Sequence, residues 1–340
     1  MKKFLWITAL FVILLAVVLI PKAKTQALAP DAKVVYEHDD YIWTINIDTK
    51  VKTKIAAGNY PAISDKSGAP SAELGQNEIA YILKKDNSHF DAKKDKEGIY
   101  IYNLSSGGTK YINYPVTDLT TRVLFSPTSK YLLVETHIST YNTQTLITRS
   151  GKVKMSFRVA GNQFRWLNNK KIVYTSLHNV TPARPRGTGG GSGFGVSKIT
   201  NKGKITVLRK SNALIDYTLF GMNGPKIQFI KYKVSKQSDW SYDNYKKSYW
   251  KMNQKGKNVK KTYKLVPWAT KIKNALPAKY KDYQVIDYGS PIYDIDYRLF
   301  IMNKTYDVEN EEIYIMDLAH KDTLKKLAKG HTPNWGWSLN

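Results

Sequence analysis

From residue 33 onward, apolar and polar positions alternate in short runs separated by polar turns, the period-2 pattern of half-buried strands. The clearest unit lies between Glu78 and Gly108. An apolar run, Ile79-Ala80-Tyr81-Ile82-Leu83, is followed by a charged loop and then by an alternating run, Ile99-Tyr100-Ile101-Tyr102-Asn103-Leu104. The unit ends in Ser105-Ser106-Gly107-Gly108, whose glycines supply the positive φ of a tight turn.

The unit recurs five more times. Val34-Val35-Tyr36 precedes Tyr41–Asp48, Leu132-Leu133-Val134 precedes Thr145–Thr148, and Ile172-Val173-Tyr174 precedes Gly195–Ile199. Ile227-Gln228-Phe229 precedes Tyr249–Met252, and Arg298-Leu299-Phe300 precedes Ile313–Leu318. The ends of the first runs fall at 36, 81, 134, 174, 229 and 300, so the spacings are 45, 53, 40, 55 and 71 residues. A period of roughly 40–50 residues with several strands per unit predicts the blades of a β-propeller. Each unit after the first is preceded by a further strand: Pro61–Ser64, Val123–Ser126, Phe164–Leu167, Tyr217–Phe220 and Pro291–Asp294. The first unit lacks one, and the chain carries a spare at Thr332–Leu339. The prediction is an all-β, six-bladed β-propeller over 33–340, in which the C-terminal strand completes the first blade and removes exposed edges.

Ahead of the repeats, Lys2-Lys3 and the apolar run Phe4–Ile20 read as a targeting helix within 1–21, and 22–32 as a linker. Seventeen apolar residues lie between a signal-peptide core and a spanning helix. Pro30 after Ala27-Leu28-Ala29 disfavours cleavage, so the expectation is a membrane-anchored, extracytoplasmic domain, or a secreted one if the segment is cleaved.

Phe125-Ser126-Pro127-Thr128-Ser129-Lys130-Tyr131-Leu132-Leu133 and Glu312-Ile313-Tyr314-Ile315-Met316-Asp317-Leu318 resemble the repeat of TolB-type six-bladed propellers (WD40-like repeats), a Ser-Pro turn leading into an apolar strand and an Ile-Tyr-x-x-Asp strand. The resemblance spans about residues 33–340, without the N-terminal domain of TolB proteins. It implies that the preceding strand is innermost in each blade. The loop between the two repeated strands then shares a face with the crossovers between blades. Long insertions gather there: 84–97, 176–193, 231–247, 303–311 and the crossover 267–287. Insertions on one face of a repeat protein mark a working face.

Composition sharpens the chemistry. Cysteine is absent, which excludes disulfides, thiolate metal sites and thiol nucleophiles. Lys and Arg number 53 against 27 Asp and Glu, a formal charge of +26, so an acidic partner is expected. The richest stretch interleaves lysines with aromatics, and the candidate ligand-binding residues are Lys231, Lys233, Trp240, Tyr242, Tyr245, Lys246, Lys247 and Trp268. Lysines attract anionic groups and aromatic faces stack on rings. The glycine-rich run 187–193 lacks the ending of a phosphate loop and reads as a flexible tip. His38, His137 and His178 follow the first runs of blades one, three and four and are the alternative, a divalent-metal site. No Ser/His/Asp set is recognisable by spacing. The sequence therefore points to an extracytoplasmic binding scaffold without a cofactor, for an acidic envelope polymer or a partner protein, with nucleic acid disfavoured. The alternative is a metal-dependent, lyase-like enzyme acting on acidic polysaccharide.

Overall fold

The computed structural model describes residues 33–64, 77–138, 141–160, 163–168, 170–179, 192–223, 225–236, 244–287, 297–304, 311–318 and 323–335. Strands dominate. Sheet I contains β1 (Lys33–His38), β2 (Tyr41–Asn46) and β3 (Lys52–Ala57), and sheet II contains β4 (Asn59–Ile63), β5 (Glu78–Leu83), β6 (Gly98–Asn103) and β7 (Thr109–Ile112). Sheet III is β8 (Thr120–Phe125), β9 (Tyr131–Ile138), β10 (Tyr141–Thr148) and β11 (Val153–Val159). Sheet IV is β12 (Phe164–Asn168), β13 (Lys171–Asn179), β14 (Ser192–Thr200) and β15 (Ile205–Arg209). Sheet V is β16 (Ile215–Asn223), β17 (Lys226–Lys233), β18 (Lys246–Asn253) and β19 (Lys260–Lys261). Helix α1 (Trp268–Ala275) leads to sheet VI, made of β20 (Gln284–Asp287), β21 (Tyr297–Asn303), β22 (Glu312–Asp317) and β23 (Lys325–Lys329). The last strand, β24 (His331–Asn334), returns to pair antiparallel with β1. Six four-stranded antiparallel sheets in this order, the first completed by the chain's last strand, fit a six-bladed propeller.

Local chemistry explains the turns. Asp39 and Asp40 hold φ of 51° and 59° between β1 and β2, the left-handed pair of a tight hairpin that Asp tolerates. The one-residue links from β3 to β4 and from β23 to β24 are Gly58 and Gly330. A Cβ on Gly58 would lie 2.5 Å from the Tyr81 ring, and one on Gly330 2.4 Å from the Glu37 carbonyl, so only glycine lets successive sheets meet there.

Buried β-branched and aromatic residues seal the junctions between sheets. Ile79, Tyr81, Val35 and Ile42 join sheets I and II, and a larger cluster from Ala62 to Ile199 joins sheets II, III and IV. Val173 and Val196 meet Ile227, Phe229 and Met252 between sheets IV and V. Val34, Tyr36 and Ile45 meet Leu299, Ile301 and Ile313 between sheets VI and I. The sixth junction is built differently. The side of sheet VI turned away from sheet I, carrying Phe300, Met302, Tyr314 and Met316, is covered by Ile272 and Leu276 around α1. Among the described residues, no hydrophobic cluster joins sheet VI to sheet V. Pro267 precedes α1, Lys273 lies in its last turn, and Pro277 follows its C-cap Leu276.

Three expectations change. The strand beside β21 is Gln284–Asp287, in the place expected for Pro291–Asp294, which lies outside the described residues. Gln-Val-Ile-Asp offers four ladder positions including two β-branched residues, whereas Pro291 lacks an N–H. The closing strand is His331–Asn334, ahead of the expected centre at Thr332–Leu339, and residues 336–340 fall outside the described set. The insertions at 176–193 and 231–247 are shorter than they read, because β13 and β14 pair from Lys171–Thr200 to Asn179–Ser192 and β17 and β18 pair out to Lys233–Lys246. The expected N-terminal helix at 1–21 and the linker at 22–32 lie outside the described residues, among which no helix is long and apolar enough to cross a membrane.

Candidate functional site

Sheet V turns its apolar cluster to one side. Alternation along β17 and β18 sends Ile227, Phe229 and Met252 into the cluster with sheet IV. It places Gln228, Ile230 and Tyr232, with Lys247, Tyr249 and Lys251, on the opposite side, where each is half-buried or exposed. Directly opposed residues then put like charges together. Lys233 faces Lys246 at the outer end of the hairpin, and Lys251 faces Lys260 of β19. Opposed lysines destabilise an antiparallel ladder, so stability alone does not account for them.

Around Lys247 the arrangement tightens. Its ammonium lies 5.0 Å from the centre of the Tyr245 ring and 5.9 Å from that of Tyr232, and the two rings meet edge to face at 5.1 Å. Hydrogen bonding to Tyr245, with the electrostatic pull of Tyr245, Tyr232 and Tyr249, raises the Lys247 pKa above its ordinary value and outweighs the opposing effect of burial. This lysine stays charged at any physiological pH. The hydroxyl of Thr218 donates to the Tyr232 hydroxyl at 3.5 Å, tying the cluster to β16.

Of the residues singled out by sequence, Lys231, Lys233 and Lys246 share the parity of Phe229 at the hairpin's outer end, while Lys247 projects from the other side beside Tyr245. Trp268 belongs to α1, with the Arg298 guanidinium 3.4 Å and the Lys271 ammonium 3.9 Å from its ring. Trp240 and Tyr242 lie outside the described residues. Tyr232 and Lys260 were not singled out; the hairpin register, which pairs Tyr232 with Lys247, is the signal that finds them.

The histidines scatter. His38 sits 3.5 Å from the Asp39 carboxylate, and the Nδ1 of His137 shares a hydrogen bond of 2.7 Å with the Asn142 side chain. His178 pairs with Gly193 in the β13–β14 ladder. Among the described residues no three His, Asp or Glu gather where they could hold a metal ion.

A second polar centre sits where the chain closes. Glu37, near the end of β1, accepts from Asn59 Nδ2 at 2.8 Å, the Tyr60 amide at 2.9 Å and the Thr332 hydroxyl at 3.3 Å, and pairs with His331 Nε2 at 3.1 Å. Burial pushes the Glu37 carboxyl up, but His331 and these donors more than reverse the effect and hold it below its ordinary value. His331 is raised in turn, because Glu37, with Glu311 and Asp40 nearby, outweighs the burial that opposes its charge. Every Glu37 oxygen is thus engaged by a neighbouring sheet or by β24, which makes this centre a seam rather than a binding site. The insertion after β5 has a similar role: Asn87 donates to the Asp40 carbonyl at 3.0 Å, and the His89 ring lies 3.9 Å from that of Tyr41.

No family model matches the chain, and no curated protein matches it. Among solved structures it is similar to TolB from Acinetobacter baumannii, at 16% identity over 91% of this chain and 68% of that one, with a TM-score of 0.46. It is also similar to an acylaminoacyl peptidase of Pyrococcus horikoshii, at 11% identity over 90% of this chain and 47% of that one, TM-score 0.44. An oligogalacturonate lyase in complex with manganese aligns at 11% identity over 85% of this chain and 70% of that one, TM-score 0.40. The chain spans 41% of the length of a further acylaminoacyl peptidase.

Proposed function

We propose that this protein is a six-bladed propeller acting as a binding scaffold outside the cytoplasm, anchored by its N-terminal segment or released by its cleavage. It engages an acidic envelope polymer, or an acidic partner protein, through the hairpin end of sheet V and the insertions sharing that face. The reading requires no cofactor. The carrying observation is the directly opposed pair Lys233–Lys246 beside the Lys247–tyrosine cluster. Like charges on directly opposed residues at an exposed strand end repel, and an anion lying between them would relieve that repulsion.

Titration of the purified protein with acidic and neutral polymers at two salt concentrations tests this. The expected result is selective binding to an acidic polymer, weakening steeply with salt, and about tenfold weaker at low salt in the Lys246→Ala/Lys247→Ala double variant, because exposed charge contacts are screened over about 8–10 Å. Equal binding of the double variant and the parent sinks the proposal.

A further inference from the structure

One terminal strand of each sheet is β3, β7, β11, β15, β19 or β23, and five of these six carry lysine. Lys52 and Lys54 lie in β3, Lys110 in β7, Lys154 in β11, Lys260 and Lys261 in β19, and Lys325, Lys326 and Lys329 in β23. A lysine on a terminal strand resists pairing with a further strand. Strand β15 has none. It reads Ile205-Thr206-Val207-Leu208-Arg209, and Ile205 and Val207 are 54% and 46% exposed. Its far end is held firmly. Leu208 is buried with Val196 and Phe229 between sheets IV and V, and the Arg209 guanidinium donates to the Gly256 carbonyl at 3.1 Å. The Thr200 amide donates to the Lys204 carbonyl at 3.0 Å. Alternation along the antiparallel ladder then turns the backbone of Thr206 toward β14 and that of Ile205 and Val207 toward the open edge.

We infer that β15 is a docking edge for an extended segment of a partner protein, which adds to sheet IV as a fifth strand and carries acidic residues at both ends. The edge itself selects a polypeptide, because N–H and C=O groups spaced along a strand are matched in register by another extended backbone. Ile205 and Val207 lie on one side of β15, so the segment meets them with apolar side chains at alternate positions. Charge decides its ends. Lys202 and Lys204 precede the apolar pair and Lys210 follows it, all of them exposed. No Asp or Glu occurs from Thr136 to Ile215, so sheet IV and the turns around β15 carry lysine and arginine with no carboxylate of their own. Acidic residues flanking the apolar centre of the segment complement both ends. A second copy of this chain is the poorer occupant. Antiparallel pairing that opposes Ile205 with Val207 brings Lys202 of each copy toward Lys210 of the other, in molecules that each carry +26.

The test uses the full chain and a short synthetic peptide of alternating valine and threonine closed at each end by glutamates. A lysine-closed peptide and one with a central proline are the comparators. The glutamate peptide should bind, slow the amide exchange of Ile205 and Val207, and bind about tenfold more tightly than the lysine peptide at low salt. The proline peptide, which lacks a central N–H, should not bind. Val207→Lys gives β15 the residue that its counterparts carry. It should abolish binding and, at an exposed position, leave the melting temperature as in the parent. Lys204→Glu/Lys210→Glu should reverse the preference toward the lysine peptide. Failure of the glutamate peptide to bind, or equal binding by Val207→Lys, overturns the docking edge. Equal binding of the two closed peptides, or a preference that the double variant does not reverse, overturns the acidic ends. If the Ile205 and Val207 amides are protected in the free protein at every concentration, a segment of the chain itself occupies the edge; protection that grows with concentration assigns it to a second copy. Either result overturns the proposed occupant.

Discussion

At the scale of single residues, Glu37 carries the most consequence. Its carboxylate is 7% exposed and draws donors from β24 and from the start of sheet II, so one charge ties the chain's last strand to both neighbours. Replacing Glu37 with Gln keeps the shape but leaves His331 without its counter-charge, at a cost of roughly 3 kcal/mol. The pH dependence follows from the two shifts. The Glu37 contribution is full above the ordinary carboxyl value of 4.5 and drains as pH falls through its lowered value. The His331 contribution is full below the ordinary imidazole value of 6.5 and is lost as pH rises through its raised value. Both are intact between these two ordinary values. Glu311, raised by burial, opposes them: ionising it in the fold costs stability once pH exceeds its ordinary value. Thermal melts of the parent and of His331→Gln from acid to alkaline pH should differ most near pH 5–6 and converge at alkaline pH. A constant difference across that range would mean that His331 acts by packing alone.

At the scale of elements, α1 covers the side of sheet VI turned away from sheet I. Ile272 is fully buried among Phe300, Met302, Tyr314 and Met316, so Ile272→Ala should cost about 2–5 kcal/mol, measurable as a lower denaturation midpoint. Binding of an acidic polymer to sheet V should be unaffected, since α1 packs on sheet VI. A variant that melts normally would show the helix to be dispensable decoration. This helix also marks the limit of what the sequence conveys. Period-2 alternation located the repeated strands, and the strand missing from the first unit, matched by a spare one at the C-terminus, predicted that the last strand completes the first sheet. Eight residues reading Trp-Ala-Thr-Lys-Ile-Lys-Asn-Ala carry too few turns for a helical period to stand out, so the crossover read as an insertion on the working face. The candidate site stands out in the sequence by composition alone, not by geometry. The lysines of 231–247 were visible, but which of them oppose each other depends on the β17–β18 register. The Glu37–His331 seam joins residues 294 positions apart, which no local pattern reports.

At the scale of the whole molecule, the surplus of +26 is a force on the fold. Like charges meet at Lys233–Lys246 and Lys251–Lys260, and Lys50, already lowered by burial, is lowered further by Lys325 across the junction of sheets I and VI. Some attraction offsets this, as where Arg149 grips both oxygens of Glu78 at 2.6 and 2.7 Å between sheets III and II. That pair is half-buried and poorly screened, whereas the lysine repulsions are mostly exposed and spread over the surface. Salt should therefore remove more repulsion than attraction. Between ~0.01 M and ~0.15 M the screening length shrinks from about 30 Å to about 8 Å, so the melting temperature should rise with sodium chloride over that interval. Addition of an acidic polymer at the same ionic strength should raise it further, by the amount that ligand binding adds to the native state. If salt stabilises and the polymer adds nothing, the charge is a general property of the surface. If the polymer adds stability in the parent but not in Lys246→Ala/Lys247→Ala, the charge is organised at sheet V. A melting temperature that falls with salt would mean that the favourable ion pairs dominate, and the opposed lysines would then need another explanation.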